Sequence, residues 1–255
     1  MSTAMSKVPH VTLAFWVIKI AATTLGETGG DFLSMTLNLG YLESTAILFG
    51  FFVVTLALQV ALDRYQPFVY WAVIVSTTLA GTTLSDYLDR SAGLGYIGGS
   101  SLLVAILIGI LAVWRLATGS ISVDRIVTPK VELFYWTAIL VSNTLGTALG
   151  DFLSTSSDLG YQGAALVLAA PLALIAAAYF LTRISRTALF WLAFVLTRPL
   201  GAALGDFLTK PLADGGLSLD RLESSAVIIA FVAAMVLMTQ QKAKQPTVEG
   251  ASAAP

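Results

Sequence analysis

Residues 136–153 read WTAILVSNTLGTALGDFL, and closely related stretches begin at three other tryptophans, Trp16, Trp71 and Trp191. Each tryptophan is followed fifteen residues later by an aspartate, and an aromatic residue and a leucine come next. A glycine occurs ten residues after every tryptophan, and a glycine or a serine occurs fourteen residues after it. Self-similarity at a regular distance is typical of duplicated supersecondary units. The sequence therefore predicts four tandem copies of one repeat.

The composition is that of a membrane protein rather than a soluble one. Of the 255 residues, 56% are apolar and 11% are charged, and the mean hydropathy is +0.82. Soluble domains carry roughly 25% charged residues, whereas a helix that crosses a bilayer needs about 20 mostly apolar ones. Charged and Pro/Gly-rich breaks leave eight segments of this length, at residues 11–35, 41–62, 67–89, 98–117, 131–154, 161–182, 187–209 and 223–240. We predict an all-α integral membrane protein with eight transmembrane helices.

Each repeat contains two predicted spans, so all four copies point the same way and are parallel repeats. The tryptophans are 55, 65 and 55 residues apart, which places extra length between copies two and three. The spacing indicates two halves, residues 1–125 with spans one to four and residues 126–240 with spans five to eight. Their arrangement is predicted to be pseudo-fourfold or to consist of two pseudo-twofold halves. The polar tail at residues 241–255 is predicted to be disordered and cytoplasmic.

The loops between the spans differ in charge on the two sides of the membrane. The side that bears both termini holds nine basic residues: Lys7, Arg64, Arg115, Arg125, Lys130, Arg183, Arg186, Lys242 and Lys244. The other side holds three, namely Arg90, Lys210 and Arg221. Because loops rich in Lys and Arg stay in the cytoplasm, both termini are predicted to be cytoplasmic. The four tryptophans fall near this boundary, where an aromatic belt is expected.

The pattern Trp…Thr-Leu-Gly-x3-Gly-Asp-Phe-Leu, repeated four times over paired spans, resembles a bacterial family of uncharacterised membrane proteins. Members of that family consist of four tandem two-helix repeats. The resemblance covers the chain from Phe15 to about Met238. It implies the eight-span fold and a multi-pass location in the bacterial inner membrane. It implies little about chemistry, which has to be inferred from individual residues.

Four aspartates, one in each repeat, end the odd-numbered spans: Asp31, Asp86, Asp151 and Asp206. Small residues four apart precede each of them, a spacing that lets two helix backbones approach closely. Such packing of four equivalent spans would bring the carboxylates around one axis, towards the external end. Two interpretations stay open. The aspartates either cap backbone turns and tie neighbouring repeats together, or they line a vestibule that binds a cation.

The first repeat carries further polar residues inside its odd span. Lys19, Thr23, Glu27 and Asp31 are spaced by four residues and therefore share one helix face. The seventh residue after each tryptophan is polar in all four copies: Thr23, Thr78, Asn143 and Arg198. Such a stripe must face protein or water rather than lipid. We expect Glu27 to pair with Lys19 or Arg198. Either the pair is a structural one that locks repeat one against repeat four, or Glu27 carries a proton or contacts the substrate, with Lys19 and Arg198 as pairing or gating residues.

The charge balance of these residues favours a cationic substrate. Glu27 and the four aspartates carry five negative charges, and Lys19 and Arg198 carry two positive ones. The three uncompensated negative charges could be neutralised by a cation or by protons. The chain has no cysteine and one histidine, so its ligands are oxygen atoms that suit a hard ion such as manganese. We predict Glu27, Asp31, Asp86, Asp151, Asp206, Thr23 and Asn143 as ion-binding residues, with Glu27, Asp31 and Asp151 as the metal ligands.

The leading hypothesis is therefore a proton-coupled transporter of a small cation, which needs no cofactor other than the transported ion. The chain is not predicted to be an enzyme or to bind nucleic acid, because it lacks a nucleophile–histidine set, a phosphate-binding loop and a basic arm. Two alternatives stay open, a membrane scaffold or regulator and a carboxylate-dependent membrane-embedded enzyme. Acids that are dry and fully paired with bases would favour the scaffold. A homo-oligomer is also compatible with the sequence.

Overall fold

The computed structural model describes residues 7–123, 126, 128–157 and 159–244, and its regular elements are all helical. The eight long helices are α1 (Leu13–Asp31), α2 (Tyr41–Ala61), α3 (Pro67–Asp86), α4 (Gly95–Thr118), α5 (Pro129–Thr155), α6 (Gly160–Leu181), α7 (Arg186–Thr209) and α8 (Arg221–Lys244). Short π-helical turns at Phe32–Thr36 and Tyr87–Ser91 extend α1 and α3, and a 3₁₀ turn occupies Leu212–Asp214.

The helices agree with the predicted spans to within four residues at every end. The ends of α1 and α8 each differ by four residues, and α8 continues to Lys244, so it takes up the first four residues of the segment that was predicted to be disordered. Residues 245–255 lie outside the described residues.

Local sequence explains where several helices begin. Prolines occupy the first turn of α3 and α5, at Pro67 and Pro129, where the missing amide hydrogen costs nothing. The side chains of Thr12, Thr128 and Ser185 accept hydrogen bonds from the first free amides of α1, α5 and α7. The odd-numbered helices therefore start a short distance before the repeat tryptophan, from three residues in α1 to seven in α5.

The four odd-numbered helices form a closed ring. In this ring α1 packs against α3, α3 against α5, α5 against α7, and α7 returns to α1. Each even-numbered helix packs mainly against the odd-numbered helix of the following repeat, and α8 closes the circle on α1. The repeats therefore interlock. One end of the bundle carries the repeat tryptophans together with Lys7 and Lys244, the first and last described residues, and the other end carries the repeat aspartates; we call them the Trp end and the Asp end.

The even-numbered helices form the apolar outer surface. Of the most apolar stretches of α2, α4, α6 and α8, only 28%, 22%, 11% and 17% is buried, against 67% for α3 with its π turn and 72% for α7. These six helices are long and apolar enough to cross a membrane. Helices α1 and α5 are not among them, because charged and hydroxyl side chains interrupt their apolar sequence. They are two of the four ring helices, and their crossing of the bilayer stays a prediction.

The repeat glycines determine how closely the ring helices approach. A Cβ atom on Gly26 would lie 2.5 Å from the Cβ of Thr78 in the next repeat, and one on Gly81 would lie 3.0 Å from the backbone nitrogen of Thr144. Gly146 and Gly201 meet the next repeat in the same way, at Arg198 and Thr23 respectively. Thr78 uses the close approach to donate a hydrogen bond to the Ala22 carbonyl, at 3.0 Å. The small-residue spacing in the sequence thus corresponds to a real backbone contact in every repeat.

Replacing a ring glycine should destabilise the protein. We expect Gly26→Ala to lower the free energy of unfolding by about 1–3 kcal/mol, because the added methyl group overlaps the next helix. Gly50→Ala and Gly109→Ala are the matched controls, since nothing lies within 4 Å of an added Cβ on either glycine. Thermal unfolding of the purified protein in detergent measures all three. Equal melting temperatures for Gly26→Ala and the controls would contradict the close packing.

Candidate functional site

The side chain of Arg198 on α7 lies at the centre of the ring. One of its terminal nitrogens, Nη2, donates to the Thr147 hydroxyl on α5 at 2.7 Å and to Thr82 on α3, and lies 3.3 Å from Glu27 Oε2 on α1. The side chain is fully buried. Because it contacts all three other ring helices, Arg198 lies across the axis of the bundle. Of the two partners that the sequence left open for Glu27, the structure brings Arg198 to it.

The charges on the axis have neutral counterparts in the other repeats. Arg198 is equivalent by repeat position to Thr23, Thr78 and Asn143, and Glu27 is equivalent to Thr82, Thr147 and Ala202. All of these residues are buried. The ring therefore packs around hydroxyl, amide and methyl groups as well as around charges. It follows that the packing of the four repeats does not by itself require an ion pair at the axis.

A second polar layer lies closer to the Trp end and contains Lys19 on α1. Its ammonium group lies 3.3 Å from Asn143 Oδ1 on α5 and 4.2 Å from the centre of the Phe194 ring on α7. Asn143 in turn donates to the Thr77 hydroxyl on α3 at 2.9 Å. The ion pairs in the described part of the chain do not include Lys19. The base is thus held by an amide oxygen and an aromatic face rather than by Glu27.

The four repeat aspartates form a layer at the Asp end, and two bases bridge them. Arg90 lies 3.2 Å from Asp86 through Nε and 2.9 Å from Asp151 through Nη2. The Lys210 ammonium lies 2.7 Å from Asp31 and 3.1 Å from Asp206. Each base follows the aspartate of its own repeat by four residues and reaches the aspartate of the next repeat. Arg90 thereby joins repeats two and three, and Lys210 joins repeats four and one.

In this layer the bases are partly exposed to solvent, whereas the acids are buried. The aspartate side chains are 2–3% exposed, whereas those of Arg90 and Lys210 are 32% and 14% exposed. A third base, Arg221 at the start of α8, lies 3.6 Å from Asp31 and is 22% exposed. The aspartates therefore do not line an open vestibule in this conformation.

Sequence reasoning missed the role of these three bases, because it assigned them to the loops on the external side. The predicted excess of three negative charges is consequently wrong: with Arg90, Lys210 and Arg221 included, five acids face five bases. A signal was present in the sequence. Arg90 and Lys210 each follow a repeat aspartate at the i+4 spacing that favours ion pairs on a helix, and they occur at equivalent positions of the two halves.

The structure separates the predicted metal ligands, because Glu27 and Asp31 lie together and Asp151 lies apart from them. One carboxylate oxygen from each of Glu27, Asp31 and Asp206 lies within 4.8 Å of the others. Asp151, which the sequence placed with Glu27 and Asp31, instead shares Arg90 with Asp86. Ring closure explains the difference, because it brings repeat four beside repeat one.

Asp86 and Asp151 each have one carboxylate oxygen that lacks a hydrogen-bond donor. Asp86 Oδ2 and Asp151 Oδ1 are buried and accept no hydrogen bond from the described protein groups. Their other oxygens face Arg90. A buried carboxylate oxygen without a donor is unfavourable, so these atoms are suited to take up a proton or a small cation.

The Trp end of the axis is filled with aromatic rings. The residues just before the repeat tryptophans, Phe15, Tyr70, Tyr135 and Phe190, are all buried, and the two tyrosine hydroxyls are 2.7 Å apart. Trp71, Trp136 and Trp191 are buried beside them, at 4%, 0% and 6% exposed, and Trp16 is partly buried. The expected aromatic belt at the membrane surface is therefore wrong for three of the four tryptophans. These three tryptophans pack between the helices of the bundle instead.

Comparisons with known proteins identify the repeat but add no chemistry. The family described as Repeat of Unknown Function (DUF347) matches the chain four times, at residues 14–65, 69–120, 134–185 and 189–242. No curated protein and no solved structure matches it. The four matched segments correspond to the four helix pairs of the ring and cover most of the chain. The protein therefore belongs to the DUF347 repeat family, with four tandem copies of the repeat.

Proposed function

We propose that the protein is a membrane transporter that moves a small cation along the axis of the helix ring. The supporting observation is the buried Glu27–Arg198 pair, which occupies positions where the other repeats hold neutral residues. Buried ion pairs are poor stabilisers compared with apolar packing of the same volume, and ionisable groups inside membrane spans usually serve function. Charges that the repeat packing does not need are best explained by transport.

A cation is favoured as the substrate by the acids at the Asp end. Carboxylate oxygens of Glu27, Asp31 and Asp206 converge within 4.8 Å, and the Lys210 ammonium lies against two of these three residues. This part of the axis thus already accommodates one positive group. The donors are carboxylates and hydroxyls, and the sequence contains no cysteine. A hard ion such as Mn²⁺, Mg²⁺ or Ca²⁺ fits this chemistry better than a soft one.

We propose that protons are exchanged for the cation. The five acids are balanced by five bases, so a divalent ion cannot enter unless positive charge leaves. Displacement of a base into solvent accounts for part of this charge, because Lys210 and Arg221 are partly exposed. Carboxylates bind protons as readily as they bind metal ions, so the return step can carry protons on the same residues.

We also propose that the protein spans the bacterial inner membrane with the Trp end towards the cytoplasm. The loops that join the repeats at this end contain Arg64, Arg183 and neighbouring bases, and the described chain begins and ends there. The bases at the Asp end are instead engaged with the buried aspartates. The charge that determines topology is therefore concentrated at the Trp end.

A scaffold is the second candidate, and one observation favours it. Every acid on the axis lies within ion-pair distance of a base and is at most 3% exposed. In a scaffold these pairs would only hold neighbouring repeats together. The two proposals differ in what neutralisation of Glu27 does: it abolishes ion movement in a transporter, whereas it changes only stability in a scaffold.

Glu27→Gln should abolish cation uptake while leaving the protein folded. The amide is nearly isosteric but cannot balance Arg198, so we expect Mn²⁺ uptake into proteoliposomes to fall at least about tenfold, the effect of roughly 1.4 kcal/mol. Glu132→Gln is the matched control, because Glu132 is equally buried and pairs with Lys7 at 3.0 Å at the Trp end. It should retain uptake. Size-exclusion profiles and melting temperatures verify that both variants are folded.

Absence of uptake by the parent protein for Mn²⁺, Mg²⁺, Ca²⁺, Na⁺ and K⁺ would contradict transport of a small cation. Uptake by the parent that Glu27→Gln leaves unchanged would contradict the assignment of the axis. A parent without uptake, together with a lower melting temperature for Glu27→Gln than for Glu132→Gln, is the result that the scaffold predicts.

Cation uptake should be accompanied by proton efflux. In proteoliposomes loaded with a pH-sensitive dye, addition of external Mn²⁺ is expected to raise the internal pH, because protons leave as the ion enters. Glu27→Gln liposomes should show no such rise. Uptake by the parent at constant internal pH would show that the transport is not coupled to protons.

A further inference from the structure

We infer that the two bridges at the Asp end are not equivalent, and that the Lys210 bridge is the gate that opens while the Arg90 bridge stays closed. This inference rests on the proposed function and names the entrance to the same axis. Arg90 and Lys210 occupy the same position in repeats two and four, and each bridges two aspartates. The surroundings of the two side chains nevertheless differ in four respects.

The first difference is the number of contacts. Arg90 uses a different nitrogen for each of Asp86 and Asp151, and its Nη1 donates to the Tyr41 hydroxyl at 3.0 Å. Three anchors fix the planar guanidinium. Lys210 contacts Asp31 and Asp206 with one nitrogen only. An ammonium is a point charge on a flexible stem, so one small cation can replace it in a single step.

The second difference is the backbone that carries each base. Arg90 lies within the helical turn Tyr87–Ser91, which continues α3 without a break. Lys210 is the first residue beyond α7, with an extended backbone at φ −73° and ψ 157°, and it begins the connection to α8. A change in the conformation of this connection can move Lys210 while α7 stays in place.

The third difference is what happens to the aspartates when the base leaves. Arg221 lies 3.6 Å from Asp31, so this acid keeps a basic neighbour after Lys210 has moved, and in the described residues Asp206 is the one acid that loses its ion pair. In the described part of the chain, Arg90 is the only base within ion-pair distance of Asp86 and Asp151. Opening the Arg90 bridge would leave two buried carboxylates without a partner, which is costly.

The fourth difference is where each bridge leads. Asp31 and Asp206 converge with Glu27, whereas Asp86 and Asp151 are not part of that group. Departure of Lys210 therefore uncovers the acid that pairs with Arg198 at the centre of the ring.

The Lys210 side chain is still protonated when it moves away from Asp31 and Asp206. Burial alone would lower the pKa of Lys210, but Asp206 and Asp31 outweigh it and raise the pKa above its ordinary value. The side chain thus keeps its proton at neutral and moderately alkaline pH. The gate opens when the charged ammonium moves away from the aspartates, which a small cation can then bind, and the loss of its proton is not required.

The absence of cysteine from the sequence allows a direct test with single-cysteine reporters. Ser34 and Ser154 occupy equivalent positions, each three residues after a repeat aspartate, and are 4% and 5% exposed. Ser34→Cys reports on the Lys210 side and Ser154→Cys on the Arg90 side. The full-length protein in proteoliposomes is treated with a membrane-impermeant maleimide in cation-free buffer. We expect Ser34→Cys to react faster than Ser154→Cys.

Exchange of the two bases should reverse this order. Lys210→Arg is expected to slow labelling of Ser34→Cys, and Arg90→Lys to accelerate labelling of Ser154→Cys, each roughly tenfold for a shift of about 1.4 kcal/mol in the opening equilibrium. Both substitutions keep the positive charge, and melting temperatures verify that the variants are folded. Lys210→Ala should accelerate labelling of Ser34→Cys. Equal labelling of the two reporters in the parent, or rates that do not change on exchange, would overturn the inference.

Failure of this inference differs from failure of the proposed function. Maleimide labelling needs no transported ion, so the predicted pattern without cation flux would leave the gate intact and refute transport. Cation flux that depends on Glu27, together with equal labelling on both sides, would retain transport and refute the unequal gates.

Discussion

The structure depends on one constraint, which is that charges enclosed by apolar helices must find their partners within the protein. An unpaired charge deep in a bilayer costs at least roughly 2.5 kcal/mol even by lenient scales. Five acids are joined in ion pairs to four bases, and each of these bases reaches an acid of another repeat. The fifth base, Lys19, lies against an amide oxygen and an aromatic ring. The closed ring makes this possible, because each odd-numbered helix lies between two others. Glycines at the contacts let the helices come close enough for these short side-chain bridges.

Three levels of symmetry are superimposed in the ring. The helix packing is fourfold, since every repeat uses the same glycine to contact the next one. The bridges at the Asp end are twofold, because only repeats two and four carry a base after the aspartate. The axis has no symmetry, since Lys19, Glu27 and Arg198 each occur once. Duplication accounts for the first level, and the departures from it indicate where the proposed function is located.

The sequence predicted the repeats and the helix ends well, because hydropathy and the tryptophan register report local structure directly. It failed where ring closure decides the outcome. The linear order did not decide between a fourfold ring, in which repeat four lies beside repeat one, and two twofold halves, and Asp151 was grouped with Glu27 and Asp31 in place of Asp206. Arg90 and Lys210 were treated as loop residues, because their neighbours along the chain are polar. The burial of the tryptophans follows from packing between helices, which hydropathy does not record.

The most direct test of the central claim is the current that cation binding generates on the axis. Proteoliposomes on a solid-supported membrane are exposed to a rapid jump in Mn²⁺ concentration, and the charge displacement is recorded. If the axis serves ion movement, the parent and the Glu132→Gln variant give a transient current, and Glu27→Gln gives none. If the parent gives no current, or if Glu27→Gln gives the same current as the parent, the buried charges do not serve to move this ion.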